Sequence, residues 1–381
     1  MNIQQKAKRI LSIDVLRGLV ILLMLVDHVR ERFFYHHPVS DPMLIADTDP
    51  YLFFTRLTAH FCAPIFVFLT GLSAWLYAHP PHKPERSPSS FLFTRGIFLI
   101  FLEVTFINFS WFGGFQTLYL QVIWAIGLSM VVLAGMVKLP RYAIGIIGAA
   151  IVVGHNLLSP VQFHPGEWGY PWWTILHDRG YLIQSDALSI RVSYPVLPWI
   201  GVILLGYFAG PMYKANLRPQ VRYQWLLGTG ICSLLTLAVV RGLNLYGETA
   251  AWSVRDSSIQ TLMSFLNFTK YPPSLDFLLL TLGVGTILLF VFERYERKWM
   301  RVLKTYGSVP MFFYLIHLYV LLALYKITEF LFQTNEGGYV GVDHVGMVWL
   351  ISIVLAILLY WPTKAFGEYK RASTMKWIKY F

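Results

Sequence analysis

The chain has 381 residues, of which 56% are hydrophobic and only 13% charged, and its mean hydropathy is positive. Soluble domains carry nearer a quarter of their residues as charge, so the pair of soluble domains that the length would allow gives way to one polytopic membrane domain over residues 1–381. A net charge of +11 would suit a nucleic-acid binder, but the basic residues are distributed as in an oriented membrane protein and no nucleic-acid partner is expected.

Ten apolar runs can cross a ~30 Å hydrocarbon core as helices of about 20 residues: roughly 11–31, 53–77, 91–111, 117–137, 141–159, 195–213, 223–243, 274–293, 309–330 and 345–365. The first lacks a small-residue cleavage site and is charged where a signal core is apolar, so it reads as a retained span. With the N-terminus cytoplasmic, the inner segments collect most of the basic residues, from Lys6, Lys8 and Arg9 to Lys370, Arg371, Lys376 and Lys379, while the outer ones collect acids such as Asp41, Asp47, Glu167, Asp186 and Glu336. An even number of spans returns the basic C-terminal tail to the cytoplasm. The expected fold is an all-α polytopic membrane protein of about ten transmembrane helices with both termini cytoplasmic.

The first span carries ionisable groups that lipid would penalise. At 100° per residue, Asp14, Arg17, Met24 and His28 fall on one face. Arg17 and His28 are three turns apart, roughly 16 Å along the axis at ~1.5 Å per residue. A charge deep in a membrane helix costs about 2.5–3.5 kcal/mol on insertion scales, so such groups face protein or a wet cavity and have partners. Asp14 and Arg17, at i and i+3, suit each other, and an anchoring role stays as open as a functional one.

Further along, Arg56, His60 and Pro64 share a face of the second span. Glu103 lies near the middle of the third, and His155 and Asn156 close the fifth. His317 follows Tyr314 by three in the ninth. Each alone is more often a satisfied interior group than a catalyst, but together they exceed what packing ten helices requires. The outer loop "HPGEWGYPWW" at 164–173, containing Trp172, fits an aromatic belt at the headgroup level or a platform for a sugar ring. In "NFTKYPPS" at 267–274, Asn267 and Lys270 precede a span whose approach is fixed by two prolines. Lys270 there suits an anionic substrate or a lipid phosphate, and equally an anchored loop. Cys62 and Cys232 both lie within spans without metal-type spacing and are expected to be buried thiols, and no metal is expected.

These residues also carry a likeness. "SIDVLRG" leading into "LVILLM" resembles the start of the catalytic domain of heparan-α-glucosaminide N-acetyltransferase and its bacterial relatives. The stretches "HFCAPIFVFLTGLSAWLY", "QVIWAIGLSMVVLAG", "YPVLPWIGVILLGYFAG", "LNFTKYPPSLDFLLLTLG" and "FFYLIHLYV" are similar to the bacterial branch almost from end to end. The resemblance implies a helical bundle in the bacterial cytoplasmic membrane that takes acetyl-CoA from the cytosol and acylates a sugar or glycan arriving from the other side. It also implies a catalytic histidine in or near the loop after the first helix, with a polar side chain at that helix's outer end. His28 falls at the latter place, and His36 and His37 are the nearest loop histidines.

Acyl transfer from a thioester to a hydroxyl or amine needs a base for the acceptor's proton and donors for the oxyanion. Histidine suits the first task. His28 is the first candidate because it continues the polar face, and His60 the second, ahead of His36 and His37. Asp27 lies 100° from His28 on the helix and is expected to orient a histidine from elsewhere. Arg17 with Asp14, and the inner Lys83, Arg86 and Arg95, are the candidates for the CoA end. Arg56, His155, Asn156, Trp172, Asn267, Lys270 and His317 are the candidates for the acceptor. No Gly-rich phosphate loop is present. The rival reading is a secondary transporter of a small polar or anionic solute, against which stands the absence of two related halves with broken helices. A non-catalytic scaffold is a further alternative. A homodimer is left open.

Overall fold

The computed structural model describes residues 10–81, 83–214, 216–332, 338–375 and 377–381. Lys6, Lys8, Arg9, Glu336 and Lys376, which entered the orientation argument, lie outside the described residues. In lipid a backbone must satisfy its own hydrogen bonds, so apolar runs become helices.

The first expected span is α1, Leu11–Phe33. The second is α2, Pro50–Thr58, and α3, Cys62–Ala78, joined through a 3-10 turn at Ala59–Phe61. Pro64 explains the break, because it has no N–H to give the His60 carbonyl. The third is α4, Ser89–Leu102, and α5, Asn108–Phe112, joined through a π turn at Glu103–Ile107. A strand β1, Thr117–Leu120, precedes α6, Val122–Met136. Next come α7, Arg141–Gly154, with a 3-10 end at His155–Leu158, and the short α8, Tyr170–Leu176. Strands β2, Gly180–Ile183, and β3, Ser189–Val192, lead to α9, Leu197–Phe208. The rest is helical: α10, Pro219–Gly242; α11, Ser258–Leu266; α12, Leu275–Arg294; α13, Met300–Ser308; α14, Pro310–Leu331; and α15, Val345–Ala372.

Every apolar run contains one of these helices, and the protein is an all-α polytopic membrane protein. Among the described residues, seven helical stretches are long and apolar enough to cross a membrane, and Val122–Met136 and Leu197–Tyr213 are shorter apolar helices. The long α1 is more charged than these. It does not need a lipid face, because α3, α12, α13, α14 and α15 all pack against it. This answers the problem of its ionisable groups: α1 is the central helix, and its polar face looks onto protein.

The structure corrects two expectations. Residues 117–120 are a strand rather than the start of a span. The Asn108 side chain accepts from the Tyr119 amide at 2.7 Å and donates to its carbonyl at 3.0 Å, while β1 pairs in parallel with β3, itself antiparallel to β2. Cys232 is exposed, unlike the buried Cys62, because α10 packs through one stripe only and turns the rest of its surface outward.

Packing also explains the glycine of "DVLRG". A Cβ on Gly18 would run into the Leu303 carbonyl, and one on Gly307 would run into the Asp14 carbonyl. The backbones of α1 and α13 therefore touch where α14 begins, and Arg17 on the next position donates to the Gly307 carbonyl at 3.4 Å.

Candidate active site

The charged face of α1 borders a cavity of about 1040 Å³. Asp14, Arg17, Ile21, Met24, Asp27 and His28 all line it, so the helical periodicity read from the sequence corresponds to one continuous wall. At the end beside the start of α1, the lining includes Lys83, Arg95, Lys214 and Lys370 together with Tyr77 and Phe91. Along the middle it is apolar, with Ala63, Phe66, Leu99, Ile126 and Met130. At the far end it reaches Tyr194, Lys270 and Tyr314.

Arg17 bridges elements at the cationic end. It donates to Asp14 Oδ1 and to Ser73 Oγ on α3, each at 3.0 Å. The expected Asp14–Arg17 pair is thus present. Lys83 is exposed on its loop. Arg86 turns away from the cavity, donating to the Tyr77 carbonyl at 2.9 Å with its guanidinium 3.6 Å from the centre of the Tyr77 ring. Lys214 and Lys370 were counted in the sequence only for orientation. Lys370 lies in the last turn of α15 and Lys214 just before α10, and only the fold brings these two segments to the same mouth.

The far end is dense with buried polar groups. His28 is 8% exposed and His317 fully buried, and His28 Nδ1 lies 2.7 Å from His317 Nε2. The rings of Trp111 and Tyr314 meet His28 nearly at right angles, with ring centres 5.0 and 5.7 Å from its own. Asp27 does not orient a histidine. Arg30 Nε donates to it at 2.9 Å, and Arg56 and Lys270 approach its other oxygen at 3.8 Å. It is the counter-charge of three cations, which a carboxylate one step round the helix from His28 is placed to be. Burial alone would lower the pKa of the Lys270 ammonium, but the neighbouring Tyr271, Asp27 and Glu31 outweigh it and hold the value above the ordinary one, so Lys270 stays charged.

Several residues expected at the acceptor instead hold the loop that carries Lys270. Asn267 exchanges two hydrogen bonds with the Met43 backbone, at 2.9 and 2.7 Å. The Asp41 carboxylate accepts from the Lys270 and Tyr271 amides. His155 Nε2 meets the Pro273 carbonyl at 2.7 Å, and Asn156 Oδ1 accepts from the Leu275 amide at 2.9 Å. Glu248 takes the hydroxyls of Thr269 and Ser274. Burial pushes the Glu248 carboxyl up, opposed by the hydrogen bonds from Ser274 and Thr269.

The remaining candidates lie apart from the cavity wall. His60 is buried against the Phe277 ring. His36 and His37 pack at tilted or edge-on angles against Phe34 and each other in the loop after α1. Trp172 is 66% exposed on α8. Sequence reasoning missed Tyr314 and Trp111 as neighbours of His28. The "FFYLIH" spacing hints at the first, and nothing in the sequence hints at the second. Among the described residues no group of three or more His, Cys, Asp or Glu is placed to hold a metal ion.

Fold and site together define a class: a polytopic membrane protein whose interior cavity joins a cationic mouth to a buried histidine pair. The family model described as heparan-alpha-glucosaminide N-acetyltransferase, catalytic, matches residues 9–246. That is more than half of the chain, and the chain belongs to this family of membrane acetyltransferases. Comparison with curated proteins gives no match. The matched residues include the whole polar face of α1 and both loop histidines, while Lys270, Tyr314 and His317 lie beyond them.

Proposed function

We propose that the protein takes an acetyl group from acetyl-CoA at the cationic mouth and passes it to a hydroxyl or amine of a sugar or glycan at the other end of the cavity, with His28 as general base. The observation that carries this reading is the continuity of one cavity from Lys83, Arg95, Lys214 and Lys370, along the α1 face, to His28 and Lys270. The cations suit the CoA phosphates, the lysines as point charges and Arg95 as a planar donor fork. The apolar middle suits the pantetheine arm, whose length the roughly 16 Å from Arg17 to His28 asks for. Lys270, fixed at the far end and charged, suits the oxyanion of the transferring group or an acidic group on the acceptor.

In this reading the acceptor X–H gives its proton to His28 as X attacks the thioester carbon. The C–S bond then breaks, and the CoA thiolate recovers the proton from the imidazolium. The ten helices act as one transmembrane domain in a bacterial cytoplasmic membrane, with both termini and the cationic mouth on the cytoplasmic side. The start of α1 and the end of α15 support this arrangement by lying at the same end of the bundle, since Gly307 touches Asp14 and Gly367 lies beside Ser308.

Purified protein in liposomes tests the proposal. With acetyl-labelled CoA supplied on the side of the basic loops and glucosamine or a glucosamine-ended disaccharide enclosed on the other, labelled sugar should accumulate with one free CoA thiol released per acetyl moved. Sugar movement without thiol release would favour the transporter reading. Failure to bind acetyl-CoA in a calorimetric titration would remove the acyltransferase reading.

A further inference from the structure

The protons of the buried histidine pair can be placed from its hydrogen-bond partners. His317 Nδ1 lies 2.6 Å from the Phe313 carbonyl oxygen, and a carbonyl oxygen only accepts, so Nδ1 carries a hydrogen. In a neutral imidazole the other nitrogen is then bare. That bare Nε2 sits 2.7 Å from His28 Nδ1, and the contact is a hydrogen bond only if His28 Nδ1 supplies the proton. A neutral His28 is left with its lone pair on Nε2, on a side chain that lines the cavity.

We infer that His317 is a positioning residue that locks His28 in the Nδ1-protonated tautomer, so that Nε2 is the atom that takes the acceptor's proton. The inference rests on the reading of His28 as the base. His317 suits the task because it is itself held: the Phe313 carbonyl is one turn back on α14, so the ring is oriented by its own helix. It contributes no charge and takes no proton. Its part is to accept one hydrogen bond, as a backbone carbonyl or a carboxylate does for histidines at other sites. Asp27 cannot substitute, since Arg30, Arg56 and Lys270 occupy it. Trp111 and Tyr314 pack against His28 nearly at right angles, which limits how far the ring can turn once the His317 bond is lost.

The arrangement also separates two kinds of substitution. In His317→Gln, an amide oxygen extends to about the place of Nε2 and still accepts from His28 Nδ1. In His317→Leu, nothing accepts there, and either tautomer of His28 is open to it.

The test is nitrogen NMR of protein labelled with ¹⁵N-histidine in lipid, with His28→Ala to assign the signals, alongside single-turnover transfer from acetyl-CoA to glucosamine. The wild type and His317→Gln should show a protonated Nδ1 and a bare Nε2 at His28. Transfer by His317→Leu should fall about 10–100-fold, the cost of losing the orienting partner of a metal-bound histidine taken as the scale, with acetyl-CoA affinity unchanged and with activity largely restored in His317→Gln. A wild-type His28 protonated on Nε2 overturns the inference, and so does a His317→Leu variant that turns over like the wild type. If His317→Leu does not fold, the wild-type and His317→Gln spectra still decide. Complete absence of transfer by wild type would sink the acyltransferase reading, while the nitrogen signals would continue to judge the tautomer.

Discussion

The two ends of the cavity are built on different terms. At the mouth, Lys83, Arg95, Lys214 and Lys370 arrive from four separate segments, and Lys83 stands in the open. Two cations there are tied into the packing: Arg17 through Asp14, Ser73 and the Gly307 carbonyl, and Lys370 by donating to the Phe381 carbonyl at 2.6 Å. At the far end Asp27, His28, Arg30, Arg56, Lys270 and His317 are all buried, and the Lys270 loop is clamped by Asp41, Asn267, Glu248, His155 and Asn156. The exposed, additive charge of Lys83 and Lys214 suits a polyanionic donor that must bind and leave. A fixed network suits a step in which an atom must sit within hydrogen-bond reach of the proton it removes. Removing one member of such a network leaves another buried group unpartnered, which costs far more than losing an exposed charge.

The sharpest way to break this contrast is His28→Ala. Transfer should fall by about two to four orders of magnitude, the usual contribution of general acid–base catalysis, while donor affinity holds. Single-turnover assays of His28→Ala beside His36→Ala, His37→Ala and His60→Ala decide the matter. A normal rate for His28→Ala with a dead His36 or His37 variant would move the chemistry out of the network and into the loop.

The mouth should respond by degrees. An exposed ion pair contributes about 0.2–1 kcal/mol, so Lys83→Ala and Lys214→Ala should each weaken acetyl-CoA binding by up to about fivefold. Their effects should combine multiplicatively and fade as salt screens the phosphates. Titration calorimetry at low and high ionic strength checks both points. A hundredfold loss from either variant alone, insensitive to salt, would mean that the mouth is as rigidly built as the far end.

What the sequence reveals follows the same division. The helices were legible because lipid leaves an apolar run little choice, and the α1 face was legible because 3.6-residue periodicity alone aligns Asp14, Arg17, Met24 and His28. The role of Gly18 was not, since a close backbone approach depends on Leu303 in a helix almost 300 positions away. Nor was the clamp on Lys270. Asn267, His155 and Asn156 looked like ligand contacts because they are polar groups near a membrane, and only the fold reveals that their partners are Met43, Pro273 and Leu275. The His28–His317 pair spans 289 positions, and each member was visible alone but the pairing was not. Strand β1 escaped because its partner β3 lies some seventy residues on, across a stretch that reads as loop.

The smallest effect is expected at Trp172, which tests whether the contrast extends beyond the cavity to the outer loops. Aromatic side chains beside Pro and Gly fit either a sugar platform or a headgroup belt, and neighbouring tryptophans on α8 occupy opposite situations. Trp173 donates from its indole nitrogen to the Val161 carbonyl at 2.9 Å and stacks on His177 with ring centres 4.9 Å apart, so it ties the loop together. Trp172 is 66% exposed and lies outside the cavity lining. Losing an aromatic ring that stacks on a ligand costs about 1–3 kcal/mol where it has been measured for nucleic-acid bases, which as a loss of acceptor kcat/KM would be roughly fivefold or more. Exposed substitutions away from any such contact stay within about 0.5 kcal/mol. Trp172→Ala should therefore leave acceptor kcat/KM within about twofold of wild type, measured with glucosamine and with the glucosamine-ended disaccharide. A tenfold loss confined to the disaccharide would show that α8 belongs to the acceptor site, and that recognition extends past the buried network into the exposed loop.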